Sequence, residues 1–234
     1  MRSIVAARFF DFTETFEGYV EYMYVDVKGL VTIGFGNLID PISYALALPF
    51  VRRAGGALAT PAEITAEWNM IKDADNKLQL KTKKYTAYTF LTKLILKPAA
   101  ILDLCGQRLR ANEVELKKIR EFQTFDGWPA DAQLALHSMA WAMGPAFAAG
   151  GQWPRFRAAC DRMDFVDAAQ NCGISVAGNP GVIPRNRANE ILFENAYFVS
   201  SHPEFRYSPD VLYYPIPLMY GIPDFRWDPK KYIA

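Results

Sequence analysis

The sequence predicts an α+β fold in which helices predominate, and three observations lead to that prediction. Residues 19–38 are rich in Val, Tyr, Ile and Thr and contain the turn signal Lys28-Gly29, a composition typical of short antiparallel strands. From residue 60 onward, several segments combine helical spacing with helix-start signals. Hydrophobic residues make up 51% of the 234 residues and charged ones 22%, so the chain can bury a sizeable core without disulfides.

The elements of the first half follow from local signals. Apolar residues at helical spacing predict a helix over 5–17, ending at Gly18. Two or three short strands follow within 19–38. A further helix is predicted over 60–78, because Thr60-Pro61 followed by Glu63 is a capping-box signature with proline in the first turn.

The second half is expected to be helical up to about residue 198. Residues 79–110 are more irregular and contain a basic stretch at 81–85 and a proline at Pro98. Further helices are predicted over 111–123, 129–144, 153–172 and 184–198. From His202 onward, six prolines alternate with aromatic residues. Because proline excludes a long helix, we expect this segment to be an extended arm lying on the body.

Charge and cysteine content limit the partners and cofactors. Lys and Arg total 26 against 25 Asp and Glu, a net charge of +1, so nucleic acid is not an expected partner. The three cysteines, Cys105, Cys160 and Cys172, form no C-x-x-C pair, and the only histidines are His137 and His202. No metal and no cofactor are therefore predicted. We expect reduced, partly buried thiols, and whether Cys160 and Cys172 pair stays open.

The N-terminus does not predict a secretory signal or a membrane anchor. The apolar stretch after Arg2 is short and is interrupted by Arg8 and Asp11. No later window offers 18 apolar residues without charge. We therefore expect synthesis in the cytoplasm without a signal peptide and no stable membrane insertion.

The candidate catalytic residues lie in the first hairpin. Glu17 closes the first helix, Asp26 ends a strand before the glycine turn, and Thr32 is on the returning strand. A helix end and the two arms of a hairpin can bring such groups around one cleft. Glycoside hydrolysis needs two carboxyl groups, one protonated to donate to the leaving oxygen and one ionised to activate water. Because Glu and Asp are common, spacing alone does not decide the assignment.

The segment 17–38 resembles the phage-type lysozymes of glycoside hydrolase family 24. It carries the pattern E-G…D-x-x-G-x-x-T-I-G-x-G in the family's order and spacing. The resemblance implies that Glu17 is the general acid, that Asp26 assists the attacking water, and that Thr32 helps to hold this water. Asn37 stands where the family usually has histidine, a difference expected to alter local hydrogen bonding and not the chemistry.

The resemblance covers about residues 17–70 and continues over 125–199. Residues 132–144 resemble the family's central buried helix, and 165–171 and 183–193 resemble later helices. The substrate-binding positions that the resemblance implies are Leu38, Trp141, Asn171 and Arg187. For Trp141, core packing and sugar stacking both stay open. Arg187 matches the arginine that approaches the catalytic glutamate in the family.

The resemblance also implies an architecture and an activity. The fold would have two lobes, a small N-terminal lobe with the β-hairpin and a helical C-terminal lobe, forming a lysozyme-like catalytic domain over 1–199. Residues 75–111 would be an insertion, and residues 200–234 a Pro- and aromatic-rich C-terminal arm. The activity would be that of an N-acetylmuramidase, which hydrolyses the β-1,4 bond between N-acetylmuramic acid and N-acetylglucosamine in peptidoglycan. The aromatic tail could serve delivery or an inhibitor, so deletion of residues 203–234 is expected to leave activity on purified wall intact but to impair delivery.

The setting would be bacterial, and the partners would be peptidoglycan strands. The protein would act in the periplasm or cell wall, either as a phage endolysin released through a holin pore or as an antibacterial effector of a contact-dependent secretion machine. An immunity or secretion-machinery protein could bind it, and a monomer is expected. Two alternatives remain: a non-catalytic peptidoglycan-binding or phage structural component, and a glycosidase of chitin-type polymers.

Overall fold

The computed structural model describes residues 1–218, and the fold is α+β with helices predominating. Residues 219–234 of the predicted arm, including Pro223 and Pro229, lie outside the described residues. The α-helices of residues 1–218 are α1 (Ser3–Glu17), α2 (Ile42–Leu46), α3 (Pro61–Leu78), α4 (Pro98–Leu116), α5 (Ala130–Met143), α6 (Pro154–Asp161), α7 (Phe165–Asn171) and α8 (Ile183–Ser201). The strands in the same range are β1 (Val20–Val25), β2 (Val31–Gly34), β3 (Asn37–Leu38), β4 (Val51–Arg52) and β5 (Leu94–Ile95).

The chain divides into two compact units. One, the sheet unit, is Thr13–Arg108, and the other, the helical unit, joins Met1–Phe12 to the chain from Leu109 onward. Helices α1 and α4 each begin in one unit and end in the other.

The sheet unit is built on a three-stranded antiparallel sheet in the order β1-β2-β3, which confirms the predicted hairpin. The predicted helix over 60–78 is also confirmed, as α3. Its first turn is a capping box: Thr60 Oγ1 accepts from Glu63 N at 3.3 Å, and Glu63 Oε2 accepts from Thr60 N at 2.7 Å. These bonds satisfy N–H donors that a helix start otherwise leaves unpaired.

The prediction for residues 79–123 is wrong in its helix boundaries. A helix runs from Pro98 to Leu116, and Arg120–Phe122 forms only a 3-10 turn. Pro98 is the first residue of α4, a position that proline favours because no backbone N–H is needed there. Before this helix, β5 pairs with β4, with Leu94 opposite Arg52. Residues 79–97 are thus part of the sheet unit, and they combine 3-10 turns with this strand.

The core of the helical unit surrounds α5. Every residue of α5 from Ala130 to Trp141 is buried. Aromatic side chains pack around this helix and its neighbours; the fully buried ones are Phe9, Trp128, Phe122, Phe125, Phe156, Phe165 and Phe193. A helix that is apolar on nearly all sides belongs in the centre of a helical cluster, and the predicted helix over 129–144 is confirmed.

Two buried polar side chains hold the described C-terminal segment onto α5 and α8. Asp131 Oδ2 accepts from Tyr213 N and Asp131 Oδ1 from Tyr214 N, each at 3.0 Å. Asn195 Nδ2 donates to Asp131 Oδ1 at 3.1 Å, and Asn195 Oδ1 accepts from Leu218 N at 2.9 Å. Burial raises the pKa of Asp131 to about 6, although these donors act in the opposite direction.

Candidate active site

Glu17 lies where α1 meets the sheet. It is the last residue of α1 and is half-buried. Gly18 N donates to Glu14 O at 3.1 Å, and the chain then enters β1 at Val20. The predicted helix end at Gly18 is confirmed, so the carboxyl group projects from a fixed point between a helix and a strand.

Asp26 organises the turn between β1 and β2. Its Oδ1 accepts the backbone N–H groups of Lys28 and Leu30, both at 2.9 Å. Its own backbone N–H donates to Leu30 O at 2.9 Å, and its carbonyl accepts from Gly29 N at 2.9 Å. These four bonds fix the orientation of the carboxylate, and the structure gives Oδ2 no hydrogen bond within residues 1–218. One carboxylate oxygen is thus structural and the other is open to a ligand or water.

Thr32 lies in the middle of a row across the sheet. It is opposite Tyr24 on β1 and opposite Leu38 on β3, and directly opposed residues project from the same face. Thr32 is buried, and its hydroxyl donates to Leu30 O at 3.1 Å. Leu38 is 47% exposed, so the row ends in an apolar side chain available for contact.

The charges of both candidate carboxylates act on the phenol of Tyr24. Burial raises the pKa of the Tyr24 phenol, and the charges of Glu17 and Asp26 raise it further, whereas Arg108 lowers it. Coulombic effects of this kind require short separations. Glu17 and Asp26 therefore both lie near one phenol, which also packs at 6.1 Å from the Tyr85 ring.

The glycine-rich strand end packs against Glu17. Gly36 has a φ of +78°, so a side chain there would strain the backbone, and its Cβ would lie in van der Waals contact with Glu17 Oε2, at 3.5 Å. Arg108 Nη1 donates to Gly36 O at 2.7 Å. This bond joins α4 to the backbone beside Glu17.

Asn37 places a buried amide at the start of β3. Its Nδ2 lies 2.8 Å from Cys105 Sγ on α4, and burial raises the pKa of the Cys105 thiol. Gly34 is packed into the same region, since a Cβ there would lie 2.9 Å from Ile101 Cγ2. The amide therefore contributes to packing of the strand end on α4.

Helix α3 braces the hairpin from the other side. Lys72 Nζ donates to Gly29 O at 2.7 Å and pairs with Asp40 at 2.5 Å. Asp40 Oδ2 also accepts from Val31 N at 3.1 Å, and Trp68 Nε1 donates to Ile39 O at 3.0 Å. These contacts fix the turn that carries Asp26.

The other three predicted substrate-binding residues belong to the helical unit. Trp141 is only 3% exposed and packs edge-on against Phe9, with ring centroids 5.0 Å apart, which is core packing. Asn171 Nδ2 donates to Asp167 O and Oδ1 at 2.8 and 2.9 Å. Arg187 is exposed on α8; burial raises the pKa of Tyr214, and the charge of Arg187 opposes this rise. Trp141 and Asn171 therefore each have a local structural role.

Sequence reasoning missed three residues that shape the site. Lys72 and Trp68 are four residues apart on a helix that the sequence predicted, so their shared face was a usable signal. Arg108 contacts Gly36, which lies 72 positions away in the sequence, and no local pattern predicts such a contact.

Comparisons with known proteins leave the family open. No protein-family model matches the chain, and the curated proteins include no significant match. Residues 1–218 contain no group of three or more His, Cys, Asp or Glu side chains placed to hold a metal ion. The same residues include no helix with the length and apolarity to cross a membrane. The three cysteines are buried and unpaired.

Proposed function

We propose that this protein is a glycoside hydrolase of the lysozyme type, an N-acetylmuramidase acting on the β-1,4 bond between N-acetylmuramic acid and N-acetylglucosamine. The proposal includes a two-lobed lysozyme-like arrangement of the fold. The observations that carry it are the fixed Asp26 carboxylate at the hairpin turn, the Glu17 carboxylate beside Gly36, and the effect of both charges on the Tyr24 phenol. Together with the sequence pattern of residues 17–38, they support a pair of carboxyl groups serving one reaction centre.

The environments of the two groups suit different roles. Glu17 is half-buried beside Gly36, and we assign to it the proton donated to the glycosidic oxygen. Asp26 has Oδ1 held by two N–H donors, which leaves Oδ2 to accept a proton from the attacking water. The Thr32 hydroxyl donates its hydrogen to Leu30 O, so its oxygen can accept a hydrogen bond from that water. Inversion at the anomeric carbon is the expected outcome of such a water attack.

One observation favours a non-catalytic alternative. The two bonds that Asp26 Oδ1 accepts also explain this aspartate as a turn-stabilising residue. A peptidoglycan-binding or phage structural component could keep it for that reason alone. Glu17 separates the two hypotheses, because the geometry of the turn does not need its carboxyl group.

The test is digestion of purified peptidoglycan sacculi, with mass spectrometry of the soluble products. The wild type should release muropeptides ending in reducing N-acetylmuramic acid, and Glu17→Gln should release none. Glu14→Gln, an exposed position on the same helix, is the matched control and should act like the wild type. Sacculi bound but not cleaved by the wild type would favour the binding component, and cleavage of chitin instead would identify the other glycosidase.

The biological setting is part of the proposal. We infer that the protein reaches peptidoglycan either after release through a holin pore or through a contact-dependent secretion machine. The test is to express the protein in bacteria with and without a periplasmic export signal and to measure cell lysis. Only cells that express the exported form should lyse.

A further inference from the structure

A pocket of about 710 Å³ lies in the sheet unit apart from the candidate catalytic residues. It is formed by α3, by β4 with the residues after it, and by residues 91–94. Its volume is in the range of sites that hold small molecules or short peptide ends. Its apolar lining comes from Ala54, Ala66, Met70, Leu91 and Leu94.

Glu67 fixes one wall of the pocket. Glu67 is only 7% exposed, and its carboxylate accepts hydrogen bonds from Lys93 N at 2.7 Å and Leu94 N at 3.1 Å. Burial raises the pKa of Glu67, while these donors and the nearby charges of Arg53 and Lys93 oppose the rise. Because its oxygens are occupied by backbone donors, Glu67 shapes residues 93–94 and offers little to a ligand.

The cations of the pocket are not all neutralised. Arg52 donates to both oxygens of Glu63 at 2.7 and 2.9 Å, so this pair is internally balanced. Arg53 and Lys93 are exposed, and within residues 1–218 neither forms a salt bridge. Arg53 donates one hydrogen bond to Thr92 Oγ1 at 3.3 Å, and its guanidinium lies 5.4 Å from the centre of the Tyr22 ring. Three cations against two occupied carboxylates leave an excess positive charge at an apolar pocket.

The pocket is connected to the candidate active site through β1. Tyr22 supports Arg53, while Tyr24 lies beside Glu17 and Asp26. Both tyrosines contact the same turn: Tyr22 Oη lies 2.8 Å from Thr89 Oγ1, and Tyr24 packs on Tyr85. Two residues along a strand span about 7 Å, a distance that one extended substrate can bridge.

We propose that this pocket binds the carboxylate end of a short peptide with small apolar side chains. Arg53 and Lys93 would hold the carboxylate, and the apolar lining would receive the methyl groups. On the proposed function, on which this identification rests, the ligand is the peptide stem of the muramic acid residue at the cleavage site. The pocket would then make the enzyme select glycan that carries stem peptides.

The binding test uses N-acetyl-D-alanyl-D-alanine and the same dipeptide with a C-terminal amide, titrated by calorimetry. The acid should bind the wild type about tenfold more tightly than the amide, since charge-assisted hydrogen bonds to the carboxylate are lost with the amide. Arg53→Gln with Lys93→Gln should weaken binding of the acid by a similar factor. The matched control, Arg155→Gln with Lys77→Gln, changes two exposed cations outside the pocket and should bind like the wild type.

The cleavage test compares sacculi with glycan strands stripped of their peptides by an amidase. The Arg53/Lys93 variant should cleave intact sacculi about tenfold more slowly than the control variant and should cleave stripped strands equally well. Equal binding of acid and amide, no binding of either, or equal slowing on both substrates would overturn the proposal. If no protein cleaves either substrate but the acid still binds through Arg53 and Lys93, the muramidase proposal fails while carboxylate recognition by the pocket stands.

Discussion

His137 allows a quantitative test of the buried interior of the helical unit. It is fully buried on α5, and its ring packs edge-on against Phe9 and Phe125 at 6.1 and 5.3 Å. Within residues 1–218, neither ring nitrogen has a hydrogen-bond partner. Burial lowers the pKa of His137 from 6.5 to about 4, because an imidazolium there would lose its hydration without compensation.

The sign of the pH dependence follows from this shift. Between pH 6.5 and about 4 the unfolded chain binds a proton that folded His137 does not. The stability that neutral His137 contributes is therefore present above pH 6.5 and is lost as the pH falls towards 4. The full difference corresponds to about 3 kcal/mol, of which about 2 kcal/mol is lost between pH 7 and pH 5.

The perturbation is His137→Leu, which keeps an apolar side chain between the two rings and removes the titrating group. Urea unfolding at pH 7, 6 and 5, followed by tryptophan fluorescence, gives the free energy of unfolding. The variant should gain about 2 kcal/mol relative to the wild type on going from pH 7 to pH 5. His202→Gln, at the only other histidine, is the control. A difference between His137→Leu and wild type that does not change with pH would refute the assignment of a buried, neutral imidazole.

Three further predictions concern Asp131, the C-terminal segment and Lys72. Since the pKa of Asp131 is raised to about 6 from 3.8, the stability it contributes is present below pH 3.8 and is lost as the pH rises through about 6. The unfolding free energy of the wild type minus that of Asp131→Asn should therefore fall by about 1 kcal/mol between pH 5 and pH 7 in urea titrations. Truncation after Phe205 removes the Tyr213 and Tyr214 donors from buried Asp131 and should cost at least about 2 kcal/mol; an unchanged melting temperature would contradict it. Lys72→Met removes the bonds to Gly29 O and Asp40 and should cost about 1–2 kcal/mol. It should also speed hydrogen exchange at Leu30 and Val31 more than Lys77→Met on the same helix does.

The truncation prediction concerns stability, which the sequence did not address for this segment. Proline and aromatic content predicted an arm lying on the body, and no local pattern links residue 213 to residue 131. The structure shows buried hydrogen bonds across 82 and 83 positions. Such long-range bonds decide whether a segment is dispensable, and a sequence without an alignment does not reveal them.

Sequence patterns predicted the elements whose signals are local. The capping box at Thr60 and Glu63, the end of α1 before Gly18 and the hairpin turn all depend on residues within a few positions. The start of α4 at Pro98 was missed because a proline marks a helix start as readily as a break. The sequence left core packing and sugar stacking of Trp141 both open, because α5 is apolar on several faces and periodicity does not show which face is covered; in the structure Trp141 is buried.

The candidate site was predictable only in its central part. The order Glu17, Asp26, Thr32 comes from sequence, and the structure places Glu17 and Asp26 near Tyr24. The contact of Arg108 with Gly36 depends on the packing of α4 against the sheet. The pocket at Arg53 and Lys93 depends on β4 pairing with β5, so neither feature has a local signature.

The division of the chain into units has a consequence for biosynthesis. The sheet unit is continuous in sequence, whereas the helical unit needs Met1–Phe12 and residues beyond Leu109. All residues of the sheet unit are therefore synthesised before α5. Until α5 follows, Val5 and Phe9, both fully buried in the folded protein, cannot pack against it. Because exposed apolar segments of nascent chains promote misassociation, Met1–Phe12 need protection from such contacts until α5 has been synthesised.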